Sequence, residues 1–454
     1  MRAAFTTYRL PAGIALLSAI LYYVFAYRLA RTDFTMLITL YGVLFFLCCL
    51  LIQFSGRNTT FLVGIGLVFR ILFLFAIPNL SQDFYRFIWD GELLLKGMSP
   101  YLYKPDDLVQ NSEFSIPNMQ ELYNGMGTLS ASHYSNYPPL NQVIFAMASI
   151  FSNKITGMVI AMRILLITAD MGVLYFGKKL LRYLKLPQHH IFWYFLNPFI
   201  LIELTGNLHF EGVMLCFLLW SLYVLFRHKT VLAAVLFACA VSIKLIPLLF
   251  LPLFLQRLGW KKMMIHTCIV LLTTCILFLP FISGVFLTHY SETIGLWFVN
   301  FEFNASWYYV VRSIGFEVKG YNIIHSYAKV MPWIVLSVVL YLAFFRKNKT
   351  PVQLLTAMLL ALSFYYFTAT TVHPWYITLL IGLSVFTTYN FPLVWSGLIM
   401  LSYYAYAHIP FHENMWLIGL EYLPVYGMML WEIWNRTPLL SPVKWYKSFS
   451  NRIR

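Results

Sequence analysis

Apolar runs of about twenty residues, the length that crosses a hydrocarbon core, recur along this chain from Leu10 to the edge of its basic C-terminal tail, and roughly eleven to thirteen can be counted. With 60% hydrophobic and 11% charged residues, the chain falls far outside soluble domains, in which roughly 25% are charged. The predicted fold is all-α: a polytopic transmembrane helical bundle. The first run has no small-residue cleavage site and another span follows at once, so it is read as a retained anchor rather than a signal peptide. No fixed-period repeat or low-complexity tract marks off a soluble domain. A single integral membrane unit is expected, with N-terminal spans over 1–79, an outer polar loop over 80–138, a helical bundle over 139–435 and a basic tail over 436–454. Cys48, Cys49, Cys216, Cys239, Cys268 and Cys275 all lie in apolar runs, and packing rather than disulfide formation is expected of them.

The formal net charge of +15 raises the question of nucleic acid, but its distribution answers it. Lys and Arg gather in short connectors: KKLLRYLK (178–185), FRHK (226–229), QRLGWKK (256–262), FFRKNK (344–349) and the tail. This is the positive-inside pattern of a multi-pass protein of the cytoplasmic membrane, and no nucleic-acid partner is expected. With Arg2 and Arg9 inside, spans near 10–27, 34–53 and 60–79 deliver Ser81 to the outer face. From there to Tyr137 runs a polar stretch of about 57 residues, too long for a compact connection unless it carries function. The run after it, PPLNQVIFAMASIFS (138–152), suits a re-entrant or interfacial helix better than a span. Further spans are expected near 156–177, 191–204 and 210–226, and the run 231–255 is broken by proline at IKLIP (243–247). On this topology every acidic residue except Asp33, Asp170 and Glu432 falls in outer loops or at outer helix ends. His209, His289, His373, His408 and His412 join them, so chemistry is expected on the outer face.

Within SQDFYRFIWDGELLLKGMSPYLY (81–103), Asp83, Arg86, Phe87 and Asp90 stand at i, i+3, i+4 and i+7 and share one helix face. Ser81 is placed to cap that helix, Gly91 and Gly97 to loosen its C-terminal half, and Phe84, Tyr85, Phe87 and Trp89 suit a membrane interface. Two readings stand: an interfacial anchor whose charges face water, or an Asp83–Arg86 pair in which the carboxylate is a general base toward a hydroxyl and the arginine holds a phosphate. Lys244 in SIKLIP (242–247) either snorkels to a head group or presents its ammonium group to an anion at the helix break. Asn207, His209 and Glu211 alternate with apolar residues and can bind sugar hydroxyls or a divalent cation such as magnesium or manganese; the sequence does not imply the metal. No phosphate-cradling glycine motif of a nucleotide site occurs.

Taken in order, the 81–103 stretch, NYPPL (136–140), NLHFEG (207–212), SIKLIP and HPWY (373–376) resemble the polytopic GT-C glycosyltransferases. The likeness is nearest to bacterial polyprenol-phosphomannose-dependent mannosyltransferases of glycosyltransferase family 87, the DUF2029 type, and covers residues 80–380 or so. It implies an inverting transferase that moves a monosaccharide, mannose in those relatives, from a polyprenyl-phosphate sugar to a lipid-linked or glycan acceptor at the periplasmic membrane surface. By the resemblance Asp83 is the catalytic base, and Asp90 supports it or helps to bind acceptor or metal. Lys244 and Arg86 face the donor phosphate, while Tyr137, Asn207, His209, Glu211, His373 and Trp375 line the sugar and acceptor sites. NLHFEG departs from the H-N-D or H-x-D/E arrangement of relatives, so Glu211 is carried over less firmly than His209. Two spans also precede the catalytic loop beyond those of the common core. A transporter or flippase is the competing class, since many spans, a broken helix with a lysine and scattered histidines are transporter traits as well.

Overall fold

The computed structural model describes residues 2–56, 58–299, 301–408 and 410–435; the basic tail expected over 436–454 lies outside them. Among the described residues the structure is helical, with a single isolated bridge between Phe303 and Thr371. Helices α1 (Arg2–Arg28), α2 (Phe34–Ser55) and the short α3 (Thr59–Leu72) open the chain. Asp33 caps α2 by accepting the Met36 N–H at 2.9 Å, and Asn58 caps α3 through the Phe61 N–H at 3.1 Å, which fixes both tight connections. The polar segment then supplies α4 (Asp83–Leu95), α5 (Met119–Ala131) and α6 (Pro139–Phe151). The remaining bundle comprises α7 (Ile155–Tyr183), α8 (Glu211–Phe226), α9 (Thr230–Val241), α10 (Trp260–Phe278), α11 (Phe286–Val299), α12 (Trp307–Lys319), α13 (Ile324–Phe344), α14 (Pro351–Thr368) and α15 (Met415–Asn435).

Six of the described helices are long and apolar enough to cross a membrane, or seven if Pro198–Gly206 and Glu211–Phe226, bent by 112° at their junction, form one span. This is a multi-pass bundle, in which fewer unbroken helices of spanning length stand among the described residues than the eleven to thirteen apolar runs counted in the sequence. Several apolar runs fold as short or broken pieces instead. The run expected to span 60–79 leaves the helix after Leu72, ahead of Pro78. That expected at 191–204 is interrupted at Pro198, where Asn197 turns its side chain onto the Phe199 N–H at 3.0 Å, and then widens into a π-helical turn over Leu201–Gly206. The 231–255 run breaks as proline requires: α9 stops at Val241 and tighter 3₁₀ turns over Ile246–Phe254 carry Pro247 and Pro252. Helix α6, at 13 residues, has the short length expected of it.

Broken helices leave carbonyls without intrahelical donors, and in lipid these must be satisfied from within the protein. Arg163, fully buried on α7, does this for two breaks at once. Its Nε donates to Thr205 O at 2.7 Å and Nη2 to Gly206 O at 2.9 Å, while Nη1 donates to Leu74 O at 2.9 Å and Ala76 O at 2.7 Å. A second buried arginine, Arg70, pairs with Asp170 at 2.9 Å, and Tyr194 donates to the same carboxylate at 3.0 Å. Asn207 then ties the two breaks together, its Oδ1 accepting the Leu80 N–H at 3.1 Å. The start of α4, three residues beyond Leu80, is thereby held against the 207–211 segment. All six cysteines are free, with Cys268 and Cys275 exposed on the apolar surface of α10.

Helix α4 lies directly on α6. Gly91, expected to loosen the helix, instead sits inside it at the crossing: a Cβ there would stand 2.5 Å from Phe145 O. Beside the contact, Phe87 stacks on Phe145 with centroids 4.7 Å apart. The N-terminus of α6 in turn grips the break before Pro247, Leu140 N–H donating to Ser242 O at 3.1 Å and Asn141 Nδ2 to Ile243 O at 2.5 Å. Replacing Gly91 with Ala should lower thermal stability by about 1–3 kcal/mol, the usual cost of overpacking. Gly64→Ala, which meets nothing within 4 Å, should leave the melting temperature of the purified protein nearly unchanged.

Candidate functional site

These breaks and the head of α4 converge on a cavity of about 360 Å³. Its wall holds Asp83, Arg86 and Phe87 from α4, Tyr137 from the turn before α6, His209, Phe210 and Glu211 from the bent segment, Lys244 from the break after α9, and His373, Trp375 and Tyr376 from the segment after α14. Eight of the ten expected site residues therefore line one cavity. Asp90 and Asn207 do not. Asp90 is fully buried behind Arg86, and Asn207 is consumed by the Leu80 N–H and by Glu203 at 3.5 Å.

The expected Asp83–Arg86 pair is also corrected. Arg86 Nε pairs with Asp90, one turn onward, at 2.7 Å, the i, i+4 geometry of a helix face. Arg86 Nη1 donates to Ser130 O at 2.6 Å and His133 O at 3.0 Å. Asp90 also accepts from the Ser135 hydroxyl at 2.5 Å and Gln142 Nε2 at 3.2 Å. The network locks α4 to the loop ending in NYPPL and so fixes the pitch of the face that carries Asp83. Ser81 contributes less than a full cap: Gln82 is the capping residue, and the Ser81 hydroxyl accepts the Asp83 N–H at 3.3 Å.

Asp83 is partly exposed at the cavity wall, and among the described residues no group donates a hydrogen bond to its carboxylate. Burial raises its pKa to about 6, a rise moderated by the positive charges of Arg31 and Lys244 and reinforced by Glu211. Lys244 forms an ion pair with Glu211, and its ammonium group lies 4.5 Å from the Tyr376 ring centroid. Opposite them stands an aromatic stack: His209 on Trp375 at 3.7 Å and Trp375 on His373 at 4.6 Å, nearly parallel. Burial, helped by the Arg86 charge, lowers the pKa of His133 on the same wall to about 4, so this ring is neutral at physiological pH.

Four contributors escape the sequence pattern. Arg31, in the α1–α2 connector, reaches the same cavity with its guanidinium carbon 3.4 Å from the Tyr406 ring centroid. Tyr406 and Phe411 come from far along the chain. The connector with Asp33, excepted above from the acidic outer face, thus belongs to the same face as Asp83. Glu203 is fully buried with its carboxylate 3.6 Å from His209 Nε2 and accepting from the Tyr403 hydroxyl at 2.8 Å. An acid inside an apolar run was the available signal for Glu203. Leu208 adds strain next to His209, with φ of 63° at a buried non-glycine residue. Among the described residues, no three His, Cys, Asp or Glu side chains converge to hold a metal ion; Asp83 and Glu211 are the carboxylates at the cavity. His289, His408 and His412 are not on the cavity wall.

A helical membrane bundle in which an acid at the head of an interfacial helix faces cations and an aromatic wall has the build of a GT-C glycosyltransferase. The chain belongs to the MptA_B family, described as alpha-(1->6)-mannopyranosyltransferase, N-terminal domain, whose model matches residues 3–258, more than half of the 454. No curated protein is matched by the chain. The matched region contains Arg31, the whole of α4 and Lys244, and stops before the His373–Trp375 segment.

Because Asp90 neutralises Arg86 in a buried site, Asp90→Ala should destabilise the protein by about 3–5 kcal/mol, the cost of stranding a buried charge. The check is thermal unfolding in detergent, where a loss below about 1 kcal/mol would mean that water solvates Arg86.

Proposed function

We propose that this mannosyltransferase moves a mannosyl residue from a polyprenyl-phosphate donor to a hydroxyl of a lipid-linked or glycan acceptor, with inversion, at the outer surface of the cytoplasmic membrane. The observation that carries the reading is Asp83: a carboxylate with few partners and a pKa near neutrality, on the wall of a cavity that also presents cations and stacked aromatic rings. Asp83 takes the proton of the acceptor hydroxyl as its oxygen attacks the anomeric carbon. The bond from that carbon to the phosphate oxygen breaks with its electrons going to the phosphate, so the polyprenyl phosphate leaves and one displacement inverts the centre. Arg86 and Lys244 supply positive charge for that departure, each tempered by its carboxylate partner. The stack of His209, Trp375 and His373, with Trp375 between the two histidines, forms the aromatic part of the wall that meets the sugar, and Tyr137 closes the wall beside Phe87 at 5.0 Å. Asp90 and Asn207 serve from behind, by holding α4 and the bent segment in place.

Asp83→Asn should reduce transfer from polyprenyl-phosphate mannose by at least about 10³-fold with donor affinity nearly unchanged, within the range such a base supplies. In the wild type the base works only when ionised, so kcat/KM should fall about tenfold per unit as pH drops below about 6 and level off above it. Full turnover by Asp83→Asn, or a profile flat down to pH 4, would remove Asp83 from the role. Orientation is tested separately. In cells lacking Cys268 and Cys275, a cysteine at the exposed Ser112 should react with a membrane-impermeant thiol reagent from outside, and one at the exposed Lys347 should not. The reverse pattern would place the cavity on the cytoplasmic face.

A further inference from the structure

Three permanently or ordinarily cationic side chains reach the cavity wall: Arg31, Arg86 and Lys244. Two of them are neutralised where they stand, Arg86 by Asp90 and Lys244 by Glu211. Among the described residues, Arg31 has no carboxylate within ion-pairing distance. The nearest acid in sequence, Asp33, spends its carboxylate on the N-terminus of α2. The Arg31 guanidinium carbon stands 3.4 Å from the Tyr406 ring centroid, and among the described residues its buried Nε has no hydrogen-bond partner. The ring holds the guanidinium at the cavity wall, and a planar fork of N–H donors there suits a tetrahedral oxyanion.

We propose that Arg31 is the direct ligand of the donor phosphate, the terminal nitrogens of its guanidinium donating to phosphoryl oxygens. The proposal rests on the polyprenyl-phosphate reading given above and goes further by naming the residue that bears the leaving group's charge. That charge grows during the reaction. The donor is a phosphodiester with one negative charge, and when its bond to the sugar breaks, the departing monoester gains a second. A cation not already compensated by a carboxylate responds most strongly to this increase, so it favours the transition state over the bound donor. The assignment also gives a purpose to the α1–α2 hairpin, which precedes the catalytic loop and lies within the matched family region. The hairpin places one arginine across the cavity from α4.

The test is binding to the purified full-length protein of three probes: farnesyl phosphate, farnesol and inorganic phosphate. Wild type is compared with Arg31→Ala, Arg31→Gln and Arg31→Lys, each accepted only if its melting temperature stays near that of wild type. Arg31→Ala and Arg31→Gln should weaken farnesyl phosphate at least about tenfold and leave farnesol unchanged, whereas Arg31→Lys should recover part of the loss. Equal weakening of farnesol and farnesyl phosphate would reduce Arg31 to a structural part. Unchanged farnesyl phosphate affinity in both neutral variants would overturn the assignment while leaving the lipid-linked donor standing. Inorganic phosphate binding as tightly as farnesyl phosphate would mark a free-anion site and overturn the proposal. A wild-type protein that prefers farnesyl phosphate to neither of the other probes would overturn the donor reading as well.

Discussion

The site depends on one buried arginine that touches no substrate. Arg163 gathers the carbonyls of Leu74, Ala76, Thr205 and Gly206, which two interrupted helices leave without intrahelical donors. Lipid offers no donor for such groups, so an interruption survives only where the protein brings its own. Once Arg163 has done so, both interruptions become fixed points, and the chain emerging from each is aimed at the other. Asn207 completes the arrangement through the Leu80 N–H. Asp83 on one side and His209 and Glu211 on the other are separated from those fixed points by only a few residues of backbone.

The same economy explains why the chemistry lies at helix breaks. Lys244 sits where α9 ends ahead of Pro247, His209 and Glu211 where the chain turns by 112°, and Trp375 where the segment after α14 re-enters the bundle. An intact membrane helix keeps its polar backbone inward and can offer only side chains. A break can turn a charged side chain toward a cavity while neighbouring groups absorb the freed hydrogen bonds. The strained backbone of Leu208 and the wide π turn before it mark the position where the chain is bent furthest from an ordinary helix.

Much of this was legible in the sequence and some was not, for identifiable reasons. The i, i+3, i+4 spacing put Asp83, Arg86 and Phe87 on one face, and that face meets the cavity. The i+7 position extends the face by about 10 Å, which carries Asp90 beyond the wall and into the packing against Ser135 and Gln142. Proline located the break at Lys244 correctly, yet counting apolar runs overstated the number of long unbroken helices, because hydrophobicity does not register where proline or an asparagine cap stops a helix. Asn207 has the same polar character as His209 but points the other way, a difference of one residue in a bent backbone that no pattern encodes. Arg31 and Tyr406 were out of reach altogether, since their meeting depends on how the first hairpin packs against one of the last segments.

That meeting also sets an order for biogenesis. The wall is drawn from positions between Arg31 and Phe411, so the nascent chain presents the first cation long before its aromatic platform exists. At ribosomal rates of about 5–20 residues per second, the wait is roughly 20–75 seconds. During that interval the inserted hairpin holds an unshielded guanidinium at the membrane surface, where lipid head groups and the insertion machinery are its available company. A chain stopped after α9 has its acid and the two breaks gathered by Arg163 in place but no platform for Arg31, and completing the cavity is among the last acts of its synthesis.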